Sequence, residues 1–591
     1  MRLTGLIGLS VVALGPSLTA QAPVITPDGD PSVDSDTIYA LHVDPADYPD
    51  EPAVVLLDDG VVRREADGRG TETYRTVVQV LRRDAVGNWS EYSFSWPEGQ
   101  ESFRLNWMRV LDLEGNVLSE EPSQQQETTV PAAEQYPVYV DTRVLRASLA
   151  RVEPGTIIDY SYTRETIDPI LEGDFYSSWL VNPGTPVLRS RLILDVPAEM
   201  EPRIVEENLD FARAEEVVHD RRVFTWVTAD VPGFEPEPFA GYPNDVSMSI
   251  AYSGETTWDD VAAWYVELAR DRFEAAPEAV AAAQPFVAEA RTLDDSLRAV
   301  YRWIAQDIRY VSLSLGMGGY QPRPPLDVVE TRFGDCKDKA TLFLALARRF
   351  GVTVHPVLVA LSGTPDSLHP SFRQFDHMIA AIETPDGYQY VDLTAELVPY
   401  DEMPPYLEGE IGVLVRRDAT AEIVTFPETA PEESLTEIRI TGELDGDGSF
   451  AGRMEMRTLG SSQYSLRDAM SESTTLTSTE RERFARNIAN SLFEGATADS
   501  LELFDGRDLA AEPRLTLDLR APDVTSRSGS AHILPLPLPT YYSRSLIADL
   551  ASRDERRFPI DVAEVNSPSV ETYVMEFKLP VGWQAELPVA V

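Results

Sequence analysis

The hydrophobic period of this chain changes twice, and any fold must accommodate both changes. From about residue 53 to 240, apolar and polar residues alternate in short runs such as TETYRTVVQVL (71–81), NWSEYSFSW (88–96), GTIIDYSYT (155–163) and RRVFTWVTADVP (221–232), broken by Gly, Pro and Asn. Period-two runs between turn residues read as strands, and this many short ones suit a sandwich or barrel. After a proline-rich loop at 231–245 the spacing becomes three and four. TWDDVAAWYVELARDRFEAA (257–276) and LDDSLRAVYRWIAQDIRY (293–310) read as amphipathic helices, the second with Leu297, Val300, Tyr301, Ile304 and Ile308 on one face. A loop rich in Gly and Pro (316–325) leads to the strongly apolar helix GDCKDKATLFLALARRFG (334–351), then to strands at 352–361, 375–383 and 387–394. Helices followed by antiparallel strands make an α+β unit. From about 432 period two returns, interrupted by one helical segment at 478–493.

These changes divide the chain into an all-β, sandwich-like domain at 53–240, an α+β domain at 250–415 and a mostly-β domain at 432–591, and a length of 591 residues suits several domains rather than one. Residues 1–22 read as a signal peptide: Arg2, an apolar run from Leu3 to Leu14 broken by Gly15 and Pro16, then small residues to Ala20 and Ala22. Cleavage after Ala20 is preferred, because Pro23 would directly follow a cut at Ala22. The apolar run is far below the ~20 residues that cross a bilayer. The mature chain is therefore expected to be exported, periplasmic or extracellular, with no membrane span. Residues 23–52, dense in Pro and Asp, read as a flexible tether.

Charge excludes one class of partner. With 98 acidic against 50 basic residues and a formal charge of -48, the chain lacks the basic footprint that nucleic acid requires. It has one cysteine, Cys336, so no intramolecular disulfide can form. A lone thiol in an oxidising compartment calls for either burial or a use as thiolate.

Asp335 can cap the helix that starts at Cys336, placing the sulfur in a first turn whose free N–H groups favour an anion. Two of the three lysines, Lys337 and Lys339, add positive potential there, and Asp335 and Asp338 offset part of it. Lys337, Asp338 and Lys339 either act on the sulfur electrostatically or form a solvated first turn. His377 lies on the strand FDHMIAAIE. Thr384-Pro385-Asp386-Gly387 suits a type I turn that pairs Thr384 with Gly387. In that register His377 faces Thr394, and Asp392 is its diagonal neighbour on the same face, within reach of the imidazole. His42, His219, His355 and His532 read as structural or surface residues, and His369 as the same rather than as part of a cleft. The run DGDGS (445–449) lacks the further ligands of a calcium loop and reads as a hairpin turn. No HExxH, P-loop, GxSxG or CxxC pattern occurs, so neither metal nor cofactor is expected.

GDCKDKATLFLALARRFGV, FDHMIAAI and YVDLT resemble the Cys, His and Asp blocks of the transglutaminase-like superfamily, papain-like enzymes whose nucleophile opens a buried helix. The wider arrangement is similar to bacterial exported proteins in which an all-β domain of unknown function precedes such a domain. The resemblance implies that Cys336 attacks an amide carbonyl, His377 moves the proton and Asp392 orients the imidazole, through a thioester. It also implies an oxyanion donor beside the Cys336 backbone N–H, for which Tyr310, Tyr320 and Gln321 are the candidates. Hydrolysis of a protein or peptide amide, with the cell envelope as a source, is favoured over cross-linking, because water competes unless an amine site exists. The alternative is a non-catalytic envelope scaffold that keeps the fold. In the family the third domain runs on beyond a segment like LPVGWQAELP, whereas this sequence stops at Val591, so its last strands are read as missing or shortened.

Overall fold

The computed structural model describes residues 35–129, 138–181, 184–233, 247–361, 363–536 and 568–586, with a few isolated positions between them. The signal sequence expected at 1–22 and the tether as far as residue 34 lie outside the described residues. The remainder of that tether is not one. Helix Ser35–Tyr39 buries Ile38 and Tyr39 against Val54, Leu56, Val77 and Ile157. Gln79 then holds Val43 at both backbone groups, accepting its N–H at 2.7 Å and donating to its carbonyl at 2.9 Å. The Pro and Asp density of the segment masks two apolar anchors, which decide its fate.

The chain is multidomain, with a β-rich N-terminal region, an α/β core and a β-rich C-terminal region. In the first, eight strands form one sheet in the order Ala214–Val218, Arg221–Val231, Val187–Pro197, Ala53–Arg64, Gly70–Val80, Ile157–Thr166, Glu101–Leu111, Val117–Ser119. All neighbours are antiparallel except Ala53–Arg64 with Val187–Pro197. Two three-stranded sheets cover one face. One of them (Glu91–Pro97, Thr142–Ser148, Gln124–Thr129) packs Tyr92 and Phe94 on Tyr160. The other (Tyr176–Leu180, Ser249–Ser253, Arg203–Glu207) lays Trp179 over Gly60, where a Cβ would lie 2.3 Å from the indole, so only glycine admits the ring.

The opposite face, beneath Ser35–Tyr39, contains a buried charge. Asp159 accepts from Arg75 at 3.0 Å, Arg109 at 2.8 Å, Trp107 Nε1 at 2.9 Å and Tyr39 Oη at 2.5 Å. Burial works against this carboxylate, and the two guanidiniums and the hydrogen bonds outweigh it, holding its pKa below the ordinary range.

In the core, five strands run antiparallel in the order Gly387–Val391, His377–Thr384, Val354–Val359, Ile411–Val415, Ala421–Thr425. The hairpin pairs Thr384 with Gly387. The helix Cys336–Arg349 lies on one face, between Val354, Leu358, Met378, Ala380 and Ile382 below and the helix Leu293–Asp307 above. From Lys337 to Ala347 every residue of it is buried, which is why its sequence is almost wholly apolar after the charged first turn. The stretch 257–276, where spacing predicted one helix, is α-helical only in its first half and closes in a 3-10 turn at Arg270–Arg272. Trp258–Leu268 ends at Ala269, and a separate helix Pro277–Val287 follows. Its start is set by Pro277 in the first turn, and its alanine-rich sequence carries too little apolar contrast to announce it.

The C-terminal sheet runs Thr497–Glu502, Arg514–Ala521, Phe450–Leu459, Leu435–Leu444, Val570–Lys578, the last pair parallel. Helix Ser478–Leu492 packs Ala485 and Ala489 on it. DGDGS is a hairpin turn, closed by Asp445 N–H on the Ser449 carbonyl at 2.8 Å. Among the described residues no helix is long and apolar enough to cross a membrane.

Replacing Asp159 by Ala leaves two arginines without their shared buried partner. This variant is expected to lose about 3–5 kcal/mol of stability, read as an earlier denaturant midpoint for the N-terminal region. An unchanged midpoint would show that the network carries no net stability.

Candidate active site

The site begins at a close approach of backbone to helix. Gly334 ends a short parallel bridge in which Arg309–Tyr310 pairs with Phe333–Gly334. A Cβ on Gly334 would lie 2.8 Å from Asp338 Cβ, so a side chain here would push the helix start away. Asp335 and Asp338 then form a reciprocal cap, each carboxylate accepting the other's backbone N–H, at 3.2 and 3.4 Å. This fixes Cys336 as the first helical residue, partly exposed while its successors are buried.

The four charged neighbours of Cys336 do not form a solvated turn. Asp335, Lys337, Asp338 and Lys339 are all buried, and each is matched. Lys337 pairs with Asp335. Asp338 accepts Arg323 N–H at 2.7 Å and Arg323 Nε at 2.9 Å. Lys339 donates to the Ala305 carbonyl at 3.1 Å, and burial pulls its pKa down to about 8 despite Asp392 and Glu396 nearby. Sequence alone cannot distinguish a solvated charged turn from a buried one, because the partners Arg323 and Ala305 are remote in the chain.

His377 opens its strand, with Nε2 at 2.8 Å from Asp392 Oδ2. With Nε2 committed to the carboxylate, Nδ1 is the nitrogen left for the sulfur. Burial disfavours a charged imidazole here, yet the charge and hydrogen bond of Asp392, with Cys336, raise the His377 pKa well above its ordinary value. Asp392 is itself buried, and His377 and Thr394 overcome that cost to bring its pKa down to about 2. Two residues that sequence reasoning passed over complete its shell. Thr394 gives Asp392 Oδ1 its N–H at 2.8 Å and its hydroxyl at 2.7 Å, and Tyr406 Oη donates to Oδ2 at 2.9 Å. The Thr394 contact is legible as a local Asp-x-Thr turn, whereas Tyr406, in a proline-rich loop, has no local signal.

Cys336, Lys337 and His377 line a cavity of about 260 Å³ with Tyr265, Tyr320, Phe372 and Met378. The three oxyanion candidates part company here. Tyr310 sits beside the Cys336 helix start, its pKa raised by burial and by Cys336 and Asp335. Tyr320 lines the cavity, stacked edge-on against Trp264 and Phe372. Gln321 is not brought in: its amide donates to the Leu268 carbonyl at 2.8 Å. His369 is fully buried and sits 2.9 Å from Ser253 Oγ, so it joins two regions of the chain and does not line the cavity. Among the described residues no group of three or more His, Cys, Asp or Glu side chains is placed to hold a metal.

Comparison with known proteins finds matches in two regions of the chain. Residues 66–235 match the model of a domain of unknown function, DUF3857, and residues 280–393 that of the Transglutaminase-like superfamily, an interval that contains Cys336, His377 and Asp392. A crystal structure of a "putative protease" from Parabacteroides distasonis superposes with a TM-score of 0.55 at 12% identity, covering 85% of this chain and 96% of that one. At such identity the likeness shows the fold alone. A "putative cysteine protease" from Cytophaga hutchinsonii, at 14% identity, covers 43% of this chain and 88% of its own, with a TM-score of 0.20 that carries no argument. No curated protein matches the chain. The chain thus carries a DUF3857 domain followed by a transglutaminase-like domain.

The His377–Asp392 pair imposes a pH window on stability. Asp392, held at about 2 when folded, contributes above its unfolded value of ~3.9 and loses that contribution as pH falls through about 2. His377, held above its ordinary value, contributes fully below ~6.5 and progressively less as pH rises through its folded value. The gap in Tm between the native chain and Asp392→Asn is therefore expected to be widest between about pH 4 and 6.5, and narrower on either side. A gap independent of pH would contradict the pairing.

Proposed function

We propose that this chain is an exported cysteine enzyme that cleaves a protein or peptide amide through a thioester on Cys336. The observation that supports this most is a histidine set between a partly exposed thiol and a buried carboxylate, at the wall of a cavity. In this reading the Cys336 sulfur attacks the amide carbonyl, and the C–N bond breaks as His377 passes its proton to the leaving amine. Water then attacks the thioester, His377 taking its proton, and the C–S bond breaks to release the carboxylic acid and return the Cys336 thiolate beside the protonated His377. Asp392 keeps the ring oriented and favours its charged form, held in turn by Thr394 and Tyr406.

Two donors are available for the developing oxyanion. The backbone N–H of Cys336, in the first turn, has no partner within the helix. For the second the candidates are Tyr310, beside the helix start, and Tyr320, which lines the cavity; burial raises the pKa of both phenols, so each stays a neutral donor. The signal-like leader supports a periplasmic or extracellular setting, where peptide or protein of the cell envelope would supply the amide. Water is the preferred acceptor, since it competes with any amine for the thioester.

Iodoacetamide should alkylate Cys336 well below pH ~8.5, and His377→Ala should remove this low-pH reactivity. The same variant should lose on the order of 10²–10⁴-fold in amide turnover. Given a peptide glutamine and a labelled primary amine, the protein should release ammonia with little label incorporated. A thiol that titrates like free cysteine regardless of His377 would return the chain to the scaffold reading.

A further inference from the structure

The cavity at Cys336 is not built by the transglutaminase-like domain alone. One wall comes from the N-terminal β region: Pro97, Gln100, Asp141 and Thr142 face the cavity across from Leu358, Phe372 and Met378. Three contacts fix that wall. Strand Val138–Val140 pairs in parallel with Ser312–Ser314. Asp141 Oδ2 accepts the Gly316 N–H at 2.7 Å. Glu101, buried in the N-terminal sheet, accepts Arg164 at 2.9 Å and, at 2.8 Å, Arg373 from the segment that leads into His377.

The fixed charges around the cavity have one sign in excess. Asp141 stands on the N-terminal wall, and Asp376 lies on the other side, next to His377. One carboxylate oxygen of each accepts a backbone N–H, from Gly316 at 2.7 Å and Leu361 at 2.8 Å. At Asp141 such a bond pins the carboxylate without cancelling its charge. Of the two cationic groups that line the cavity, Lys337 is closed on Asp335 and His377 on Asp392. Apolar and aromatic side chains beneath lower the local dielectric and lengthen the reach of both carboxylates.

We propose that this is a shared cleft selective for a cationic group, and that Asp141 of the N-terminal β region sets the selectivity. This rests on the reading of Cys336 as the nucleophile. It adds that the amide substrate carries a positive charge, an ammonium or guanidinium, close to the scissile bond, and that the N-terminal region is part of the substrate site. A carboxylate at that position meets the like charge of Asp141 and is rejected.

The test uses the full chain and two methanethiosulfonate reagents of similar size, one bearing trimethylammonium and one sulfonate. Each is attacked by the Cys336 thiolate, which forms a disulfide and expels methanesulfinate, so no enzymatic turnover is needed. The ratio of cationic to anionic rate constants, normalised to the same ratio for 2-mercaptoethanol, reads the charge of the cleft. The native ratio should exceed unity by on the order of ten-fold, and Asp141→Asn, which keeps an acceptor for Gly316, should reduce it about three- to ten-fold. Asp376→Asn, a second variant from the opposite wall, should act in the same direction. Asp468→Asn, an exposed site on the C-terminal region, should leave the ratio unchanged. The proposal is overturned if Asp141→Asn changes the ratio no more than Asp468→Asn, or if neither reagent modifies Cys336. Failure of the nucleophile reading is separate: it appears as reactivity indifferent to His377→Ala, whatever the ratio.

Discussion

A helix buried on every side, with four charged residues in its first turn, is the constraint on which this structure depends. The apolar part of Cys336–Arg349 needs cover in all directions, and receives it from the five-stranded sheet below and from helices above. Its charges, taken out of water, cost several kcal/mol each unless matched. Asp335 with Lys337, Asp338 with Arg323, and Lys339 with the Ala305 carbonyl are the matches, and they tie the helix start to two neighbouring elements. Cys336 is the residue left at the surface of that arrangement, and its exposure follows from the burial of everything after it.

The same logic governs His377 and Asp392. An imidazolium and a carboxylate buried together are stable only if the remaining lone pairs are satisfied. Thr394 and Tyr406 do this for Asp392. The result is a ring held in one orientation, with a proton it gives up reluctantly.

The N-terminal region enters the site through charge and backbone pairing rather than through a large apolar contact. Glu101 links its sheet to the segment before His377, and His369 meets Ser253 across the same junction. On the other side the C-terminal region is fastened by Gln463 to Glu402 at 2.7 Å, and Gln463 also accepts from the buried Arg467. Polar junctions of this kind leave little trace in hydropathy, because each uses one or two residues on either side.

The sequence by itself determined the order of all-β, α+β and mostly-β regions. It also determined the helix that opens at Cys336 and the hairpin that brings His377 near Asp392. These are local facts, set by hydrophobic period, an aspartate cap and a four-residue turn, and each is complete within a short window of chain. Sequence could not decide that residues 35–52 pack, since two apolar side chains outweigh the tether-like composition around them only once a sheet exists to receive them. Nor could it tie Gln321 to the Leu268 carbonyl, show the first-turn charges to be buried, or reveal that Asp141 lines the same cavity as Cys336. Those depend on contacts between residues tens to hundreds of positions apart, where burial and pairing exist only after the separate layers have closed on one another.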